Sequence, residues 1–216
     1  MANVAGEDLR AAGQKALAEP EQQLLGELLA FIAQRLSGAE RARESLRDLV
    51  RAGAPVERVQ AELHGFVRDC WDALDGLGRV VNVCLYGRLP GVDLWEPGAM
   101  TRQCTFYTVR RVLRGGPSGG EHPVGRLLWN ETRVDVHPAY ARLSFVRNLA
   151  LFAPIPLPEP GVLPGWDDLA PHLASLLKAQ GIGRCAVSEG AGEMLAWLRG
   201  FIERCCAELA QTLAGY

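Results

Sequence analysis

The stretch from Pro55 to Gly87 constrains this chain more than any other. Apolar residues recur at Val59, Leu63, Phe66, Cys70, Leu74, Leu77, Val81 and Cys84, in steps of three and four that keep one stripe on one side of a helix. Pro55 suits a first helical turn, where its missing N–H leaves no bond unmade, and Gly87 suits a stop. At 1.5 Å per residue such a helix is roughly 45 Å long, enough to cross a small domain. Its stripe must be covered, and the rest of the sequence supplies helices to cover it.

Glu7 to Lys15 reads as a short leading helix. Pro20 opens a second that runs to about Leu36, with Leu24, Leu25, Leu28, Leu29, Ile32 and Leu36 on one face; Ser37-Gly38 is expected to break it before Ala39 to Arg51. Arg88 to Gly98 reads as a loop, and Thr101 to Leu113 resumes helical spacing through Phe106, Val109 and Val112. The Gly-rich run Arg114 to His122 is expected to be a mobile loop. Val124 to Trp129 and Pro138 to Phe152 read as helices on either side of a Val134–Val136 connector. Ala153 to Gly165 holds five prolines and cannot be a helix interior. Helices over Trp166 to Gln180 and Glu189 to Ala214 complete the pattern. The fold class is all-α, an antiparallel helical bundle around a central helix at about 56–86. Residues 1–216 form one helical domain, with 1–52 as a peripheral N-terminal hairpin.

Composition narrows the function classes. An apolar fraction of 48% with 22% charged residues is ordinary for a globular protein. A net charge of −2 argues against general nucleic-acid affinity and leaves room for a local basic patch. The 23 basic residues include two lysines, Lys15 and Lys178, a bias expected of a GC-rich bacterial genome. No apolar run reaches the ~18 residues that span a bilayer, and the N-terminus lacks the order of a signal peptide. A cytoplasmic protein without a membrane segment is expected. The six cysteines lie in apolar helical patterns with no CxxC pair, so reduced, mostly buried thiols are expected, and no metal site.

Candidate polar residues are those that interrupt core-like spacing. One edge of the long helix holds His64, Trp71, Asp75, Gly78 and Asn82 within a narrow sector. Asp75 stands between Leu74 and Leu77, where a carboxylate needs a partner. Arg147, between Leu143 and Leu151 on another helix, is the expected partner, with Asn148 beside it. The pair is read as structural before functional.

The phrase Asp72-Ala73-Leu74-Asp75-Gly76-Leu77 through Val81-Asn82, followed by Arg147-Asn148 on a later helix, resembles the HEPN superfamily over about Val56 to Phe152. The resemblance implies an up-and-down bundle with added helices, often dimeric, and a link to toxin–antitoxin, phage-defence or CRISPR systems. Many members are metal-independent ribonucleases whose motif is an Arg, a polar residue, and a His after four to six intervening positions. Here Arg147-Asn148 is followed by Leu149-Ala150-Leu151-Phe152-Ala153-Pro154, with no His. Arg58 and His64 have the spacing but lie about 240° apart around one helix, and Arg133 and His137 are one residue too close. The resemblance thus implies a non-catalytic relative acting through a protein or nucleotide-type partner. A HEPN-type ribonuclease with a displaced catalytic His is the alternative.

The candidate polar site is therefore Asp75, Arg147, Asn148, Asn82 and His64, with no cofactor and no metal. Asp69, Asp72 and Asp75 fan too widely around the helix to share an ion, and no Glu-x-x-His pairs mark a di-iron bundle. Trp95, Trp129, Asn130, Glu131, Arg133, Asp135 and His137 flank helices and read either as plugs of the core or as a binding surface; for the chain as a whole a protein, RNA or nucleotide partner is expected, and no membrane. A homodimer is expected from the resemblance and from the apolar stripe Met194, Leu198, Phe201 and Ile202, widened by Trp197.

Overall fold

A computed structural model describes residues 2–100, 103–150, 155–168 and 181–215. It is an all-α helical bundle. Among the described residues eight α-helices follow one another: α1 (Ala2–Ala16), α2 (Glu19–Arg51), α3 (Val56–Leu85), α4 (Phe106–Gly115), α5 (Pro117–Glu121), α6 (Pro123–Glu131), α7 (Pro138–Ala150) and α8 (Val187–Ala214). Two-residue strands β1 (Val162–Leu163) and β2 (Cys185–Ala186) pair antiparallel, Val162 opposite Ala186 and Leu163 opposite Cys185. None of the described helices is long and apolar enough to cross a membrane.

The long helix falls where its periodicity predicts, and every residue of the Val59-to-Cys84 stripe is buried. Two readings are corrected. Ser37-Gly38 does not break α2, which continues to Arg51. Gly38 is there for space: a Cβ at this position would lie 2.3 Å from Asp69 Oδ2. Helix propensity disfavours glycine by about 1 kcal/mol, but a larger residue would require the Asp69 carboxylate, which Arg35 holds at 3.0 Å, to move. The run Arg114–His122 is likewise no loop. Pro117 opens α5, and the Gly116 and His122 N–H groups close backbone bonds to Val112 and Ser118 at 3.2 and 3.0 Å. Of the helix expected over Trp166–Gln180, Trp166–Asp168 forms one 3-10 turn; the remainder lies outside the described residues, as do Leu151 to Pro154.

The chain divides into two compact units. The first comprises residues 1–34, 72–130 and 199–216. Its core is built from Leu25 and Ile32 of α2, Leu74, Leu77 and Val81 of α3, and Leu113 of α4. Phe106 meets Phe201 edge-on, with centroids 5.9 Å apart and planes at 88°, the arrangement that ring quadrupoles favour. The second unit comprises residues 35–71 and 131–198. Leu46 of α2, Leu63 and Phe66 of α3, Leu143 and Val146 of α7, and Met194 of α8 are buried there, and Tyr140 packs on Trp197 at 5.3 Å. The stripe Met194, Leu198, Phe201 and Ile202 is buried within the chain itself. It therefore offers no apolar surface for a second copy.

Candidate functional site

The polar edge of α3 receives backbone. In the first unit Asn82, fully buried, takes Trp95 as a neighbouring strand would: its Nδ2 donates to the Trp95 carbonyl at 2.7 Å, and its Oδ1 accepts the Trp95 N–H at 3.0 Å. One turn earlier Arg79 Nε donates to the Cys104 carbonyl at 3.3 Å. Asp75 Oδ1 accepts the N–H of Phe106 at 2.9 Å, which places a carboxylate at the N-terminus of α4, where the helix dipole favours negative charge. Thr105 and Thr108 close a capping box at the same end. Gly78 lets the two segments meet, since a Cβ there would stand 2.6 Å from Phe106 Cα. Residues 75, 78, 79 and 82 thus form one face of α3 against which Trp95, Cys104 and Phe106 are held.

In the second unit the same logic holds Ile155. Gln60 Nε2 donates to the Ile155 carbonyl at 2.8 Å, and His64 Nε2 accepts the Ile155 N–H at 3.2 Å. Arg147 lays its guanidinium over Trp71, 4.7 Å from the ring centroid, and donates to Asn148 Oδ1 at 3.1 Å; Asn148 is exposed. The expected Asp75–Arg147 pairing gives way to these contacts, each within the residue's own unit. Asp75 is half-buried.

The other sequence candidates separate by unit. Trp95 is held through its backbone, as above. Arg133 and Asp135 form an exposed ion pair in which each holds the other charged, through their shared hydrogen bonds. His137 Nε2 lies 3.8 Å from Glu131. His122 Nδ1 accepts the Val124 N–H at 3.2 Å and caps α6; burial lowers its pKa, Glu208 opposes that, and Arg126 adds to it. Among the described residues no three His, Cys, Asp or Glu side chains come together as a metal site. All six cysteines are free thiols, and Cys185 alone is not buried. Burial raises Cys70 and Cys84 far above the usual thiol range, with Cys104 at about 11 and Cys206 at about 12.

Trp129 belongs to a feature that the sequence reading passed over. The guanidinium carbons of Arg110 and Arg114, one turn apart on α4, lie 4.3 and 3.6 Å from the Trp129 ring centroid. Tyr107, Arg110, Arg111 and Arg114 fall within about 100° of arc on α4. Tyr107 is 58% exposed, and Arg111 and Arg114 are exposed with it, as is Arg126 on α6. No carboxylate among the described residues lies within ion-pair distance of Arg111, Arg114 or Arg126. From Thr105 to Asn130 four arginines stand against Glu121 alone, an excess of three positive charges. The available signal was the spacing of Tyr107, Arg111 and Arg114 at i, i+4 and i+7.

No protein-family model, no curated protein and no solved structure matches the chain. The HEPN likeness rests on the short motifs alone.

Proposed function

We propose that the chain is a non-enzymatic helical protein whose α4–α6 face holds a nucleotide-type partner, a short stretch of single-stranded RNA. The observation that carries this reading is the Arg110–Trp129–Arg114 stack beside exposed, unneutralised Arg111 and Arg126. A guanidinium held over an indole still has N–H groups for phosphate oxygens and loses little freedom on binding. Tyr107 adds an exposed ring on which a base can stack. From Tyr107 to Arg114 the helix rises about 10 Å, a span suited to more than one nucleotide. The non-enzymatic reading is supported by the engagement of His64 and Arg147 elsewhere: His64 Nε2 accepts from Ile155, and Arg147 faces Trp71 and Asn148.

Fluorescence anisotropy with a labelled single-stranded RNA 12-mer tests the reading. Wild-type protein is expected to bind, with affinity falling as salt rises by a log–log slope of about 0.7 per neutralised phosphate. The double variant Arg111→Glu/Arg114→Glu is expected to lose at least tenfold in affinity while keeping its helical circular dichroism. The RNA should remain full-length in EDTA. Absence of wild-type binding at about 50 mM salt overturns the proposal. Cleavage that disappears in Arg147→Ala supports the ribonuclease alternative instead.

A further inference from the structure

Away from that face, α1 and the last turns of α8, both in the first unit, border an open groove of about 570 Å³. Its walls carry short side chains, Ala11 and Ala12 on α1 and Ala207 and Ala210 on α8; Asp8, Lys15 and Gln211 are its polar residues. The exposed face of α8 borders it, not the buried apolar stripe from Met194 to Ile202. With methyl groups along both walls, a further helix can come to about 8 Å, the near end of helix–helix distances.

The two charges on α1 specify which helix fits. Residues 8, 11, 12 and 15 fall within about 100° of arc, and Ala11 and Ala12 lie midway between Asp8 and Lys15. Both charged residues are exposed, and neither has an ion-pair partner among the described residues. An acid and a base at equal distances from one point on a helix complement the same helix run in reverse. A two-fold axis at Ala11–Ala12 sets α1 antiparallel to its own copy, with Asp8 opposite the partner's Lys15 and Lys15 opposite the partner's Asp8. The parallel, in-register arrangement sets like charge on like and is disfavoured.

We infer that this groove takes α1 of a second copy, so that two chains pair about a two-fold axis through Ala11 and Ala12 and fill each other's grooves. The contact spans about two helical turns per copy, which makes the dimer a weak one. Sedimentation equilibrium of the full-length protein over about 5–500 µM tests it. Wild type is expected to dimerise, and less tightly as salt screens the paired charges. Asp8→Lys or Lys15→Asp puts two like pairs into the symmetric contact, and each should weaken it at least tenfold. The double variant Asp8→Lys/Lys15→Asp restores opposite charges and should return to within about threefold of wild type. Circular dichroism checks that each variant keeps its helix. A wild type that stays monomeric over the whole range overturns the proposal and leaves the groove to another occupant or to none. Single variants that dimerise like wild type overturn it as well, as does a folded double variant that fails to recover. If Lys15→Asp unravels the end of α1, Asp8→Lys and the salt series decide without it.

Discussion

Two helical faces in the first unit carry polar side chains at the same i, i+3, i+4, i+7 spacing and do opposite things. On α3, Asp75, Gly78, Arg79 and Asn82 turn toward backbone, and the side chains of Asp75, Arg79 and Asn82 meet N–H or carbonyl groups of Phe106, Cys104 and Trp95. On α4, Tyr107, Arg110, Arg111 and Arg114 turn outward or onto an indole. The spacing alone cannot separate the two. What separates them is the counterpart: a polar face that receives main chain is part of the fold, and a basic face without carboxylates is available to a partner.

The largest effect should come from Asn82. Asn82→Ala removes both bonds to Trp95 and leaves a buried N–H and carbonyl unmet, each costing about 1–3 kcal/mol. Urea denaturation should show a loss of about 3 kcal/mol. A loss below about 1 kcal/mol would move Asn82 out of the structural class. Next is Gly78→Ala. Propensity alone would stabilise α3 by about 1 kcal/mol, yet the added methyl meets Phe106 Cα at 2.6 Å. Overpacking of this kind costs ~1–3 kcal/mol, so net destabilisation is expected, and a raised Tm would show that α4 does not dock there as described.

A smaller effect concerns pH. His122 has a pKa below its ordinary 6.5, chiefly through burial, and its Nδ1 accepts a hydrogen bond. The unfolded chain therefore binds the proton more readily than the folded one. Stability should be full above pH 6.5 and should fall as the pH drops below that value. His122→Asn, which can still cap α6, should flatten that part of the profile; an unchanged profile would remove His122 as its source. The smallest stability effect belongs to the outward face. Arg111→Glu/Arg114→Glu should cost at most about 1 kcal/mol, the worth of an exposed cation–π contact to Trp129, and a larger loss would make those arginines structural like Asn82.

Much of the fold was legible because burial follows periodicity: the Val59-to-Cys84 stripe and the long last helix carry their own signal. Gly38 was misread because a glycine within a helix looks like a stop until the Asp69 carboxylate is seen beside it. The sequence asks for a partner for Asp75, and the N–H of Phe106 is one; backbone donors leave no mark in composition. Arg147 was matched to an acid when an aromatic ring, Trp71, sufficed. The α4 arginines were absorbed into a general arginine bias, although Tyr107, Arg111 and Arg114 already shared a face.

Native-state amide hydrogen exchange at Trp95 and Phe106 tests the contrast between the two faces most directly. If α3 holds these two residues through Asn82 and Asp75, both amides should be strongly protected in wild-type protein. Trp95 should lose protection in Asn82→Ala and Phe106 in Asp75→Ala, and both should be unchanged in Arg111→Glu/Arg114→Glu. Exchange of both amides at unprotected rates in the wild type would contradict the account.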